Sequence, residues 1–344
     1  MSKQVTILTG DPTVTVLAEM QLDWGGLNDM AEWVRAHRPE CLPDDYDVDG
    51  EDTLEDRAMT LFPHPLAEDN RVLTHNELLV ELAGRKCYDS FGLKAGKRTN
   101  REYIANTQMH MDPAVRAKQV SYKVEHILSR GAGRTAEDAD ESPQIQAQDE
   151  IAATIREAQN TVPHASITYH AKMSFFIAGV SRRVSHELIR NYVGADRDEE
   201  GNPSQESTRY TEHYGFYIAH PKILGESKAD WEERVTFTEE MQHNYDAYLA
   251  YVRRQTARAT VDGKKLSTIE KKRILESASP YLSHSCETSW VWTTNPGALA
   301  KMFKERDNDG ADLEFRRLAR AWKRVCMARW PNLFPQPWMQ DARS

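Results

Sequence analysis

Apolar residues recur along this chain at two spacings, and the changes of spacing mark its elements. Residues 3–8 carry Val5, Ile7 and Leu8 in a strand-like stretch that Gly10, Asp11 and Pro12 close. Residues 38–70 are rich in Asp, Glu and Pro and read mostly as loop. A helix opens at Thr74. Thr74 can cap it, Glu77 stands three residues on as a capping box requires, and Leu78, Leu79 and Leu82 form an apolar stripe that ends near Gly84 or soon after. Residues 129–147 are polar and turn-rich and read as an insertion, and residues 149–159 have helical character.

Across residues 165–178, Ile167, Tyr169, Met173, Phe175 and Ile177 give a strand-like alternation with one buried face. Residues 180–193 switch to helical spacing through Val180, Val184, Leu188 and Ile189. Residues 194–203 read as loop, and Tyr214, Phe216, Tyr217 and Ile218 as a short strand stopped by Pro221. A long helix spans 229–258, with Trp231, Val235, Met241, Tyr245, Tyr248, Leu249 and Val252 at steps of three and four. Asp262-Gly263 breaks it, and a further helix covers about 266–278. Asn295 caps another helix with Pro296 in its first turn and Leu299, Met302 and Phe303 inward. The last helix, 311–330, buries Leu313, Phe315, Leu318, Trp322 and Val325. No solenoid-length repeat is present. The predicted class is α+β: mostly helical, with a modest central antiparallel or mixed sheet.

Composition narrows the function classes. The 344 residues can bury one large core or two ordinary ones. No apolar run approaches the roughly 20 residues that span a bilayer, and the N-terminus lacks a signal-peptide pattern, so a cytoplasmic location is expected. Cys41, Cys87, Cys286 and Cys326 have no metal-knuckle spacing, so neither a metal site nor a disulfide is expected. The net charge of −9 disfavours a nucleic-acid surface but leaves room for a local basic pocket.

Candidate chemistry concentrates in two segments. In Ser181-Arg182-Arg183 … His186-Glu187-Leu188-Ile189-Arg190, His186 and Arg190 share one helix face, and Arg183 and Glu187 are spaced to pair on another. Ser204-Gln205-Glu206-Ser207-Thr208-Arg209-Tyr210 suits a phosphate: Arg209 offers a forked donor, Ser207 and Thr208 hydroxyls. The same segment also reads as a solvated turn leading into a strand, the more frequent case for such polar stretches. His186-Glu187 is not a zinc-protease motif, because Arg190 stands where the second His would be. Neither a Gly-x-Gly-x-x-Gly nor a Walker loop occurs. His284, Ser285 and Cys286 are adjacent, and adjacent residues rarely face one another as base and nucleophile.

These segments resemble the flavin-dependent thymidylate synthases. That family carries His-Glu-Leu-Ile-Arg-His-Arg, a spacer of seven, and a serine within Ser-Gln-x-Ser-x-Arg-Tyr. This chain reads His186-Glu187-Leu188-Ile189-Arg190-Asn191-Tyr192, then a spacer of 14 before Ser207 within Ser204–Tyr210. Similar blocks are His164-Ala165-Ser166 through Arg182, Leu82-Ala83-Gly84-Arg85-Lys86-Cys87-Tyr88, and Trp292-Thr293-Thr294-Asn295 through Ala319. The longer spacer is tolerable, since closure entropy grows by only about 0.6 kcal/mol per doubling of a flexible loop.

The resemblance implies residues 1–73 as an N-terminal extension and 74–338 as a catalytic domain with insertions near 105–160 and 194–203. It implies one-carbon transfer from methylenetetrahydrofolate to C5 of dUMP, with FAD and NADPH supplying the hydride. It implies a homotetramer with shared active sites, with neither a nucleic-acid nor a membrane partner. Arg306 takes the catalytic position, polarising the pyrimidine. Glu187, Arg190, Gln205, Glu206, Ser207, Thr208 and Arg209 take nucleotide positions; His170, Arg190, Asn191, Tyr192, Gln205, Asn295 and Lys301 take flavin positions. Asn191 and Tyr192 replace the family's His and second Arg. A further nucleotide-contacting arginine is implied shortly before a Leu-Pro. Alignment on Pro280 puts Glu276 there, and alignment on Arg273 demands a longer insertion. Two alternatives accompany this: methylation or hydroxymethylation of dCMP, and a non-catalytic nucleotide-binding homologue.

Overall fold

The computed structural model describes residues 4–37, 73–88, 124, 151–152, 165–190, 202–260 and 265–334. The 38–70 loop, the 129–147 insertion, Asn191, Tyr192 and residues 194–201 lie outside the described residues; of the helix expected over 149–159, Ile151 and Ala152 are described and are helical. In chain order the elements are β1 (Thr6–Leu8), β2 (Thr13–Glu19), α1 (Trp24–His37), α2 (His75–Tyr88), a 3-10 turn (Ala165–Tyr169), β3 (Met173–Ser181), α3 (Arg182–Arg190), β4 (Asn202–Gln205), β5 (Phe216–Ile218), α4 (Lys228–Ala259), α5 (Thr268–Ala278), β6 (Glu287–Thr294), α6 (Pro296–Arg306) and α7 (Leu313–Arg329). The class is α+β and mostly helical, with a modest antiparallel sheet and a separate two-stranded parallel pair. No described helix is long and apolar enough to cross a membrane. The chain divides into two compact units: residues 1–18 with 173–325, and residues 19–172 with 326–344.

The first unit is built on a four-stranded sheet in the order β2-β3-β6-β4. Met173, Phe175 and Ile177 point inward from β3, opposite Thr294, Trp292 and Trp290 of antiparallel β6. Trp322 of α7 meets Phe175 and Trp292 edge-on, at centroid distances of 5.1 and 5.4 Å, and closes that face. The alternation then slips. Between Ile177 and Val180 the β3–β6 register shifts, and Gly179 adopts φ +73° while its N–H donates to Glu287 at 3.0 Å. A bulge adds one residue to one strand. The inward set therefore moves from odd positions to Val180, which is fully buried.

A second layer joins β1 to β5 in a parallel pair, with Thr6 opposite Phe216. Val5, Tyr217, Met241, Tyr245, Tyr248, Leu249, Ala278 and Cys286 form its core, so α4 and α5 pack against these strands. Both helices start on capping boxes, Ser227 with Asp230 and Ser267 with Glu270. The buried stripe of α4 begins only at Met241; Trp231, expected within it, is exposed.

In the second unit Thr74 and Glu77 form the expected box: the Thr74 N–H and hydroxyl donate to Glu77, and the Glu77 N–H donates to Thr74 Oγ1. Helix α2 runs on past Gly84 to Tyr88. Leu78 packs with Leu27, Ala31, Val34 and Leu73, which makes α1 a partner of α2.

Several expectations change. The strand expected over 165–178 begins at Met173, and its first part is a 3-10 turn. Val180 ends that strand rather than opening the next helix, which starts at Arg182. Leu313 and Val325 are only partly covered, while Phe315, Leu318 and Trp322 are buried. Strands β2, β4 and β6 and helix α1 were not anticipated. Residues 202–203, expected as loop, belong to β4, whose sequence Asn-Pro-Ser-Gln is made a strand by pairing with β6 rather than by its own propensity.

Candidate active site

Helix α3 follows β3 without a break, and its polar side chains reach two neighbouring elements. Arg183 and Glu187 share a stripe at i, i+4, but they do not pair with each other as their spacing suggests. Arg183 donates to Asp312, and to Glu314 at 2.8 Å. Glu187 accepts instead from Arg306 Nη1 at 3.1 Å. A local exposed pair contributes only about 0.3–0.5 kcal/mol, and partly buried partners from α6 and α7 outcompete it.

The Arg183 contacts belong to a buried anchor. Glu314, 4% exposed, also accepts from the Ser181 N–H at 2.7 Å and from its hydroxyl at 2.9 Å. Asp312 Oδ1 accepts the N–H groups of Glu314 and Phe315, both at 3.0 Å, and so caps α7. Burial pushes the Asp312 carboxyl up, but the bonds from Arg183 and the Phe315 N–H more than offset this and hold it below the usual carboxylate range.

This anchor sets Phe315 beneath Arg306. The guanidinium carbon lies 4.9 Å from the Phe315 ring centroid, a cation–π contact. Arg306 is thus held by a carboxylate and by an aromatic face. The pair keeps an open side, with Arg306 20% and Glu187 30% exposed.

On its other flank α3 straps down the second polar segment. Arg182 Nη1 donates to the Glu206 carbonyl at 3.3 Å, and Gln205 Nε2 donates to Ser185 Oγ at 2.8 Å and Thr288 Oγ1 at 3.0 Å. The Glu206 N–H donates to the Ser289 carbonyl. Beyond Glu206 the chain turns tightly: the Ser207 carbonyl accepts from Tyr210 and Thr211, and its hydroxyl from the Arg209 N–H. The order is the reverse of the expected turn leading into a strand: a strand runs through Gln205, and a turn follows it and presents Arg209. Arg209 Nη2 meets Glu276 Oε2 at 3.3 Å. The Lys272 ammonium lies 4.8 Å from the Tyr210 ring centroid.

The remaining positions divide as follows. Asn295 is fully buried, and its Oδ1 accepts the Ala298 N–H at 2.9 Å as the cap of α6. Lys301 is exposed on α6, Thr208 is partly covered in the turn, and His170 is exposed in the second unit. Arg190 ends α3; its side chain, like Asn191 and Tyr192, lies outside the described residues. Sequence reasoning gave Phe315 a place in the core only, and assigned no site role to Arg182 or Lys272. The i, i+4 spacing of Lys272 and Glu276 was the only sign that they share a helix face.

Cys286 is fully buried, and burial pushes its thiol up to about 12, which removes it as a nucleophile. Among the described residues no group of three or more His, Cys, Asp or Glu is placed to hold a metal ion.

The profile of the family described as thymidylate synthase complementing protein matches residues 71–332. A flavin-dependent thymidylate synthase of Mycolicibacterium vanbaalenii is 33% identical over 174 residues, 50% of this chain and 64% of that protein. One from Clostridium tetani is 31% identical over 172 residues, with the same two shares, and one from Mycobacterium leprae is 26% identical over 174 residues, 51% of this chain and 64% of the relative. The chain spans a little under two thirds of the length of these relatives. With the profile match covering both polar segments, Arg306 and the α7 anchor, the chain belongs to the thymidylate synthase complementing protein family, that of the flavin-dependent thymidylate synthases.

Proposed function

We propose that this chain is a flavin-dependent thymidylate synthase, which transfers a one-carbon unit from methylenetetrahydrofolate to C5 of dUMP with FAD and NADPH supplying the hydride. The observation that carries the reading is Arg306, held by Glu187 and Phe315 with its side chain 20% exposed. A pyrimidine becomes nucleophilic at C5 as negative charge develops on its ring. A guanidinium already held in place stabilises that charge without reorganising. Glu187 orients Arg306 and is itself exposed enough to accept a ring N–H. Ser207, Thr208 and Arg209 offer the hydroxyls and forked donor that suit the nucleotide's phosphate.

The described residues do not by themselves compose a flavin cradle. The Asn295 oxygen is used within α6, and the Gln205 Nε2 donates to Ser185 and Thr288. In a homotetramer with shared sites, a second copy would contribute to the flavin site.

The test begins with colour. Purified protein that is not yellow and takes up no added FAD sinks the flavoenzyme reading. With flavin bound, tritium release from C5-labelled dUMP in the presence of folate and NADPH tests the substrate. Arg306→Ala should lower turnover by about 10²-fold or more while flavin stays bound; unchanged turnover removes Arg306 from the mechanism.

A second reading, methylation or hydroxymethylation of dCMP, is favoured by one observation. Glu276 stands beside Arg209, and a carboxylate accepts hydrogen bonds from an exocyclic amine. Side-by-side turnover of dUMP and dCMP separates the two. A protein that binds either nucleotide but turns over neither is the non-catalytic homologue.

A further inference from the structure

The turn that carries Arg209 is covered by one face of α5. Lys272 and Glu276 lie four residues apart on that helix and so share a face. They meet consecutive residues of the turn, Glu276 on the Arg209 guanidinium and Lys272 on the Tyr210 ring. Two cations and one carboxylate thus gather at the turn that carries Ser207 and Thr208. The Arg209–Glu276 contact is a single long one, 3.3 Å through one nitrogen, and its members are 49% and 51% exposed. A guanidinium prefers a bidentate partner, and this contact leaves most of its donors for a ligand. The pair is weak enough for an anion to displace and close enough to oppose that anion.

We propose that Glu276 is a specificity-determining residue of the nucleotide site: it holds Arg209 as a counter-charge and, with Lys272 as the second cation, sets how strongly the 207–210 turn grips a phosphate monoester. The inference rests on the reading that this turn receives the nucleotide's phosphate. A phosphate that binds here takes Arg209 away from Glu276 and then sits beside a carboxylate. Lys272 partly offsets that repulsion. The site therefore grips phosphate less strongly than its two cations would alone, and more of the recognition falls to the groups that face the base.

The test is equilibrium binding of dUMP, deoxyuridine and inorganic phosphate to the full-length protein. Wild type, Glu276→Gln, Lys272→Ala and Lys228→Ala are compared; Lys228 is a remote, exposed lysine on α4 paired with Glu232. Glu276→Gln should tighten dUMP and inorganic phosphate by about two- to fivefold and leave deoxyuridine unchanged, as removal of one exposed opposing charge allows. Lys272→Ala should weaken both phosphate ligands, and Lys228→Ala should change nothing. The gain from Glu276→Gln should shrink at high salt. Unchanged or weaker dUMP binding by Glu276→Gln, or an equal gain for deoxyuridine, overturns the proposal. If wild type binds dUMP and the α5 variants behave like it, only this inference fails. If wild type binds neither dUMP nor phosphate, the nucleotide reading fails and this inference falls with it.

Discussion

Among the described residues two glycines adopt left-handed backbone, and alanine at each should reveal different physics. Gly179, at the β3 bulge, has φ +73°, and a Cβ added there would meet nothing nearer than 3.8 Å. Gly215, just before β5, has φ +85°, and its Cβ would lie 2.8 Å from Tyr245 Cε1 and 3.1 Å from Cζ. Left-handed backbone costs a residue with a Cβ about 1–2 kcal/mol. A clash in a packed core adds about 1–3 kcal/mol. Tyr245 cannot retreat cheaply. It is fully buried, its hydroxyl donates to the His213 carbonyl at 3.1 Å, and its ring stacks on Tyr248 at 6.2 Å. Gly179→Ala should therefore lose about 1–2 kcal/mol, and Gly215→Ala about 2–5 kcal/mol. The larger loss is a substantial share of the roughly 5–15 kcal/mol that holds a domain folded. Urea unfolding followed by tryptophan fluorescence measures both, provided the transitions share one m-value. Equal losses at the two positions would refute the argument, because they would mean that Tyr245 gives way without cost.

Two further predictions concern groups near the site. His213 Nδ1 accepts the Gly215 N–H, and burial together with the Arg182 charge pushes the imidazole down to about 4. A histidine whose folded value lies below its unfolded one contributes stability that is complete above pH 6.5 and lost as pH falls toward 4, about 3 kcal/mol in all. Urea stability measured from pH 7 to 4 should fall more steeply for wild type than for His213→Asn, and identical slopes would refute this. For Cys286, iodoacetamide should leave the native protein unlabelled at that position and label it after unfolding, and Cys286→Ala should keep its turnover. Native labelling or lost turnover would contradict the inert, buried thiol.

By itself the sequence determined what depends on near neighbours. Thr74 with Glu77, and Asn295 ahead of Pro296, marked helix starts, because a cap and its partner lie within one turn. Alternation marked the inward face of β3 from Met173 to Ile177, because side chains of a strand alternate wherever it lies. The motifs at Glu187 and at Ser204–Tyr210 indicated the family. Tertiary structure alone decided which charges meet. Arg183 and Glu187 are four residues apart, yet they pair with Glu314 and Arg306, 131 and 119 residues away. Those partners offer lower exposure and better hydrogen bonds than the local pair, and only the packing of α6 and α7 brings them near. The same holds for the phase change at Gly179, for β4, and for Glu276 beside Arg209. Spacing along a chain fixes the direction in which a side chain points, whereas its partner is chosen by competition among all the groups that folding brings within reach.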